Sequence, residues 1–217
     1  MTLLAGAPKT LKSTIAMCMA AAIADGIPVR NYRRKNGKKS ISEKRRTVIY
    51  VAYEQSVGRL RHAYEKRILR RELLPKETHF CVVDSPWEYQ IDADDNDFNC
   101  INIVKQLKPA LLIIDPLVHA HGQDENDPRM VRPLVPLREA ALKVGTSVLL
   151  IHHLNKKKGD DNRSSGGTAD FDRVRGTSAL WGMVDAGHIV TKSPSGGLFY
   201  TSDFKDFPSR QWSWRAP

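Results

Sequence analysis

The fold is decided by the stretch Gly6-Ala7-Pro8-Lys9-Thr10-Leu11-Lys12-Ser13, which joins two elements of different periodicity. Residues 2–5, just before it, form a short apolar segment typical of a buried strand. Residues 12–24, which are rich in Ala and Met, predict a helix that stops at Asp25-Gly26. The order strand, loop, helix is the beginning of a repeating β-α unit, so the stretch predicts an α/β fold.

This loop differs by one residue from a phosphate-binding pattern, G-x-x-x-x-G-K-[ST]. In that pattern, backbone N–H groups surround the phosphates, the lysine reaches the β- and γ-phosphates, and the hydroxyl binds Mg2+. Leu11 stands where the pattern has its second glycine. The residues expected to bind ATP are Gly6, Ala7, Pro8, Lys9, Thr10, Leu11, Lys12, Ser13 and Thr14. The alternative is an ordinary strand-to-helix turn that contains Lys-Ser by chance.

An acid at the end of a second buried strand would complete such a site. Residues 110–114 are a continuous apolar run, typical of a central strand covered on both faces, and Asp115 ends it. We expect Asp115 and Ser13 to be the protein ligands of Mg2+. The occurrence of this strand about a hundred residues after the loop argues against a chance match.

Glu54 and a pair of histidines also follow predicted strands. Glu54 comes after the strand at 47–53, at the edge where open α/β sheets bind ligands, and is the expected general base for water; a solvated acid is the alternative. His152 and His153 end the strand at 146–151, and one of them is expected to sense the γ-phosphate. Because neighbouring strand residues point to opposite faces, the other is expected to pack, and the sequence does not distinguish the two.

Residues 155–173 are polar, charged and rich in Gly and Ser, and they are too many for a routine connection. The segment carries basic residues suited to phosphate-backbone contacts, together with several aspartates. Arg175, just beyond it, is a candidate arginine finger that would act across a subunit boundary, as is nearby Arg173.

The composition favours one soluble domain and a polyanionic partner. The length of 217 residues fits a single α/β domain spanning 1–217. With no apolar run of 18 residues, no membrane span or signal peptide is expected, and the protein is predicted to be cytoplasmic. Three cysteines without metal-ligand spacing indicate reduced, mostly buried thiols.

The net charge of +10 includes nine basic residues within 30–46, which could contact nucleic acid or form a solvated loop.

The remaining chain continues the alternation of helices and strands, which predicts a mostly parallel sheet. One helix is expected to begin at Asp127-Pro128 and to continue to about Lys143. Near the C-terminal end, residues 187–191 and 198–202 are expected to pair as a β-hairpin.

Taken in order, these segments resemble the RepA-like branch of RecA-type P-loop ATPases, a family that includes a hexameric replicative helicase of plasmids. The likeness extends from residue 3 to about residue 192. The segments that carry it are 6–13, Tyr53-Glu54, 113–117, 124–127, His152-His153 and 175–179. No single one is diagnostic, but their order and spacing as a group are specific.

The resemblance implies a RecA-like fold in which a mostly parallel sheet is flanked by helices and ends in a C-terminal β-hairpin. It implies that Lys12 and Ser13 bind phosphate and Mg2+, that Glu54 is the base, and that ATP lies between subunits of a ring. The arginine-finger position of the family does not align cleanly with Arg175.

The function that we expect from this resemblance is Mg2+-dependent ATP hydrolysis coupled to single-stranded DNA binding or translocation by a homo-oligomer, with a hexamer as the family's example. Such a helicase would serve replication of a plasmid, phage or mobile element. The alternatives are a RecA/RadA-like recombination mediator without helicase activity, and a degenerate regulatory ATPase in which Leu11 has weakened nucleotide binding.

Overall fold

A computed structural model of the chain describes residues 1–24, 46–64, 79–83, 86–91, 99–124, 127–154, 174, 178–192 and 197–214. Several features singled out in the sequence lie outside these ranges. They are residues 30–45 of the basic run, the aspartate-rich residues 92–97, the long segment 155–173, and Arg175.

Within the described ranges, eight strands form one sheet in the order β3-β2-β4-β5-β1-β6-β7-β8. Their bounds are β1 Thr2–Gly6, β2 Val48–Ala52, β3 Phe80–Val82, β4 Leu111–Asp115, β5 Ser147–His153, β6 Ala186–Lys192, β7 Leu198–Phe204 and β8 Arg210–Trp214. Neighbours from β3 to β6 pair in parallel, whereas β7 pairs antiparallel with both β6 and β8. The predicted parallel sheet and C-terminal hairpin are confirmed, and β8 is an additional antiparallel strand.

Helices cover both faces of the sheet. They are α1 Lys12–Ala24, α2 Val57–Ala63, α3 Cys100–Leu107, α4 Leu134–Val144 and α5 Ser178–Met183, with 3-10 turns at Pro86–Glu88, Leu117–His119 and Pro128–Val131. Apolar residues of α1 and α2 join one core cluster, and those of α3, α4 and α5 join the other. None of the helices in the described ranges is both long enough and apolar enough to cross a membrane.

The central strands divide their side chains between the two layers. In β2, Ile49 and Val51 belong to the cluster under α3 and α4, while Tyr50 and Ala52 belong to the cluster under α1. All five residues of β2 are buried. Because successive side chains enter cores on opposite faces, every residue of such a strand is buried and the strand is apolar throughout. A polar atom within it requires a hydrogen-bonding partner.

Two sequence-based expectations are wrong in detail. The single helix expected from Asp127-Pro128 is instead a 3-10 turn followed by α4, and Pro133 lies between them. Proline has no N–H to donate, so it interrupts the helical hydrogen bonds at this point. The thiols are not mostly buried, because Cys18 and Cys81 are exposed and only Cys100 is inside.

The parallel arrangement brings four of the predicted site residues to one edge of the sheet. β1 ends at Gly6, β4 at Asp115 and β5 at His153, while Glu54 lies two residues beyond β2. The strand register places Gly6 opposite His153 and Ala52 opposite Asp115. Ligands of open α/β sheets bind at this carboxyl edge, which therefore holds the candidate site.

Candidate active site

The loop between β1 and α1 is closed by its own polar groups. The Thr10 hydroxyl donates to the carbonyl of Ala7 at 2.8 Å, and Thr10 is almost fully buried. The first turn of α1 begins immediately afterwards, with the N–H of Ile15 donating to the carbonyl of Leu11 at 2.9 Å. The loop thus leads directly into a helix N-terminus, where the first backbone N–H groups have no partner within the helix and can bind an anion.

Gly6 leaves no room for a side chain. A Cβ atom at this position would lie 2.6 Å from the Thr10 hydroxyl oxygen and 2.7 Å from the carbonyl oxygen of Val190 on β6. Both distances are shorter than real Cβ contacts, and the second involves backbone that cannot rotate away. The glycine is therefore required because β1, β6 and the loop converge here.

Leu11 adopts the conformation that glycine would normally supply. Its φ is 65°, and Lys9, two residues earlier, has a φ of 61°. Left-handed backbone is unfavourable for a residue with a Cβ atom, by about 1–2 kcal/mol. The loop nevertheless makes the turn, and Leu11 is 45% exposed. The leucine therefore places left-handed strain in the backbone of the loop.

Lys12 folds back over the loop. Its ammonium group donates to the carbonyls of Gly6 at 2.8 Å and Ala7 at 2.9 Å. Burial lowers the pKa of Lys12 below its ordinary value, while the negative charges of Asp115 and Glu54 oppose the shift. A buried ammonium held by neutral carbonyls, with two carboxylates nearby, is suited to exchanging those carbonyls for phosphate oxygens.

Ser13 and Asp115 are in direct contact although they are far apart in the chain. The Ser13 hydroxyl donates to Asp115 Oδ2 at 2.7 Å. Burial raises the pKa of Asp115, and hydrogen bonds from Tyr50 and Ser13 oppose that shift. A hydroxyl and a carboxylate are the oxygen ligands that Mg2+ accepts when phosphates and water complete its coordination. In the described ranges, no group of three or more His, Cys, Asp or Glu residues is placed to hold a metal ion.

Tyr50 is part of this contact, and the sequence analysis missed it. Its hydroxyl donates to Asp115 Oδ2, the same oxygen that accepts from Ser13. Tyr50 is fully buried in the middle of β2, on the strand that pairs with β4. The signal available in the sequence was a phenol within a strand buried on both faces, since such a group needs a partner.

Two histidines contact the carboxylate of Glu54. His119 Nε2 lies 3.4 Å from Glu54 Oε1, and His153 Nε2 lies 3.8 Å from the same oxygen. The Glu54 side chain is 51% exposed. His119 lies in the 3-10 turn that follows β4 and was not singled out in the sequence. Its ring also contacts Trp87, whose ring contacts that of Tyr53.

The structure separates the two adjacent histidines of β5. His152 is fully buried, and its position in β5 is opposite Ala5 of β1. His153 is at the edge and reaches Glu54. The structure therefore buries His152 and places His153 beside Glu54. Of the two, His153 is the candidate for contact with the γ-phosphate.

Most of the chain matches a known family, since residues 1–159 fit the AAA domain. Among solved structures, the chain is similar to an ATPase domain with 14% identity and a TM-score of 0.64, over 98% of this chain and 79% of that one. The RadB recombinase gives 17% identity and a TM-score of 0.61, over 99% of this chain and 86% of that one.

A DnaB-like replicative helicase, whose structure was described together with its interactions with primase, gives 13% identity and a TM-score of 0.61. The match covers 98% of this chain but 55% of the helicase, so the chain corresponds to about half of that protein. No curated protein matches the chain. At these identities, the structural matches establish the RecA-like fold.

Proposed function

The chain belongs to the AAA domain family and has the fold of RecA-like P-loop ATPases, and on that basis we propose that it hydrolyses ATP with Mg2+ and couples hydrolysis to single-stranded DNA. The observation that carries the proposal is the 2.7 Å hydrogen bond between Ser13 and Asp115. It joins the phosphate-loop pattern to the acidic end of a buried strand, which are the two halves of a Mg2+-nucleotide site.

The roles of the loop residues follow from their positions. Backbone N–H groups of the loop and of the first turn of α1 would bind the phosphates of ATP. Lys12 would transfer its hydrogen bonds from the carbonyls of Gly6 and Ala7 to the β- and γ-phosphates. Ser13 and Asp115 would hold Mg2+, which supplies positive charge against the phosphate oxygens.

Hydrolysis requires a base for water, and Glu54 is the candidate. The water oxygen bonds to the γ-phosphorus, the bond from that phosphorus to the β-γ bridging oxygen breaks, and ADP leaves with the electron pair. Glu54 accepts a proton of the attacking water. His153, at the end of β5, is proposed to donate a hydrogen bond to the γ-phosphate and so to sense its presence.

The DNA component has separate support. The net charge of +10 favours a polyanionic partner. Proteins of the same fold include a DnaB-like replicative helicase and the RadB recombinase. We propose a homo-oligomer of the RepA-like type, with a hexamer as its form, in which ATP lies between subunits and Arg175 approaches the neighbouring site.

The decisive experiment is steady-state ATP turnover at low salt, with and without single-stranded DNA. We expect stimulation by DNA, loss of turnover in Lys12→Ala, and retained ATP binding without hydrolysis in Glu54→Gln. Lys143→Ala and Glu139→Gln, at exposed positions of α4, are the matched controls and should behave as wild type. Full turnover in Lys12→Ala or Glu54→Gln would refute the assigned role of that residue.

A lack of DNA stimulation would remove the DNA component and leave the ATPase. Strand displacement on forked DNA then separates the two DNA-linked functions, since a helicase unwinds the fork and a recombination mediator binds it without unwinding. Measurement of the mass in solution, with ATP and single-stranded DNA present, tests the hexamer.

A further inference from the structure

We propose that His119 is a positioning residue that holds the Glu54 carboxylate in place for water activation. The inference rests on the proposed ATPase function and adds a residue to its site. Glu54 follows β2, and its side chain is half-exposed. A glutamate in such a place samples several rotamers in solvent, so its use as a base requires groups that select one of them.

The two contacts to Glu54 converge on a single oxygen atom. His119 and His153 both approach Oε1, from different elements of the fold, at 3.4 and 3.8 Å between nitrogen and oxygen. These distances are longer than an ideal hydrogen bond, as is common for catalytic contacts before substrate is bound. The nearer of the two nitrogens belongs to His119.

The two histidines are proposed to have different partners when ATP is bound, and this favours His119 as the residue that positions Glu54. A neutral imidazole that carries its proton on Nε2 can donate it well to one acceptor at a time. If His153 donates from Nε2 to the γ-phosphate, it gives up its contact with Glu54. His119, which comes from the turn after β4, then retains the carboxylate while ATP is bound.

The surroundings of His119 restrict its ring. The 3-10 turn follows β4 directly, with the backbone N–H of His119 3.3 Å from the carbonyl of Pro116. The His119 and Trp87 ring centroids are 5.7 Å apart in an edge-to-face arrangement, and those of Trp87 and Tyr53 are 5.5 Å apart. Tyr53 directly precedes Glu54 in the chain. The ring contacts therefore connect His119 back to the residue next to Glu54, and this limits the movement of the histidine relative to the carboxylate.

The test compares His119→Ala and His119→Gln in ATP turnover with single-stranded DNA present. We expect His119→Ala to lower kcat by about 10- to 100-fold, because small misplacement of a reacting group has effects of that order. KM and the affinity for a fluorescent ATP analogue should stay within about twofold of wild type. His119→Gln places an amide N–H near the position of Nε2 and should recover most of kcat.

His62→Ala, which removes an exposed histidine of α2, is the matched control and should leave kcat unchanged. If His119→Ala does not fold, His119→Asn replaces it, since asparagine keeps a polar amide but is too short to reach Oε1. The proposal is overturned if the variant without the contact keeps kcat, if KM changes instead, or if glutamine restores nothing. Full turnover in Glu54→Gln would instead overturn the assignment of the base itself.

Discussion

The hydroxyl of Tyr50 donates a hydrogen bond to the carboxylate of Asp115, from the middle of β2 to the end of the neighbouring strand β4. Ser13 donates to the same oxygen from the first turn of α1. Burial, and then the charge of Asp115, raise the pKa of Tyr50 well above its ordinary value, so the phenol remains a proton donor. The proposed Mg2+ ligand is thus held from inside the core as well as from the loop.

Removal of this hydroxyl by Tyr50→Phe should weaken both stability and Mg2+ binding. The ring volume is kept, while a buried carboxylate loses a donor, which costs about 1–3 kcal/mol in the free energy of unfolding. Urea unfolding measures the first effect, and titration of Mg2+ against a fluorescent ATP analogue measures the second. Tyr200→Phe, on β7, is the control and should leave the Mg2+ titration unchanged. An unchanged Mg2+ titration in Tyr50→Phe would show that the contact does not orient Asp115.

Neutralisation of Asp115 should have opposite effects on stability and on function. Burial raises the pKa of Asp115 above its ordinary value, so the folded protein retains this proton to higher pH than the unfolded chain. The stability contributed by the protonated group is fully present below the ordinary carboxyl pKa and is lost as pH rises through the raised pKa. Asparagine cannot ionise and does not undergo this loss.

Asp115→Asn should therefore match the wild type in acid and exceed its melting temperature at neutral pH in the absence of nucleotide. The same variant should lose the increase in ATP affinity that Mg2+ causes. Melting curves from acid to neutral pH, each with and without Mg2+-ATP, measure both effects. A melting temperature at neutral pH below that of wild type would contradict the account, because the carboxylate would then be net stabilising in its buried place.

The sequence predicted the positions that follow apolar strands, because a polar residue at the end of such a run is visible without a structure. Asp115 and Glu54 were found in this way, whereas Lys12 and Ser13 were found from the phosphate-loop pattern. The alternation of elements predicted the shared edge of the sheet. Tyr50 and His119 were not found. Their partners depend on the register between β2 and β4 and on the path of a short turn, and neither leaves a periodic signal in the chain.

The path of the chain at Gly6 should be sensitive to a single methyl group. Gly6→Ala places a Cβ atom against the Thr10 hydroxyl and the Val190 carbonyl, and relief requires movement of backbone. We expect a loss of about 1–3 kcal/mol in unfolding free energy and at least a tenfold loss of ATP affinity. In Gly58→Ala, the new Cβ on α2 meets nothing within 4 Å, and the helix should gain about 0.5–1 kcal/mol. Equal effects of the two substitutions in unfolding would mean that the loop relaxes freely.

Leu11 should cost stability rather than nucleotide affinity. Its φ of 65° is already the conformation that glycine adopts at no steric cost, so the loop amides are directed as they would be with glycine.

Leu11→Gly relieves strain of about 1–2 kcal/mol and loses about 0.5–1 kcal/mol through the freer unfolded chain. We expect a net gain of up to about 1.5 kcal/mol and an ATP affinity within about threefold of wild type. Leu142→Gly is the same change at a 67% exposed helical position of α4, and it should lose about 1 kcal/mol. Opposite signs in urea unfolding identify backbone strain as the cause. If Leu11→Gly instead raised ATP affinity by an order of magnitude, leucine would be what weakens this ATPase.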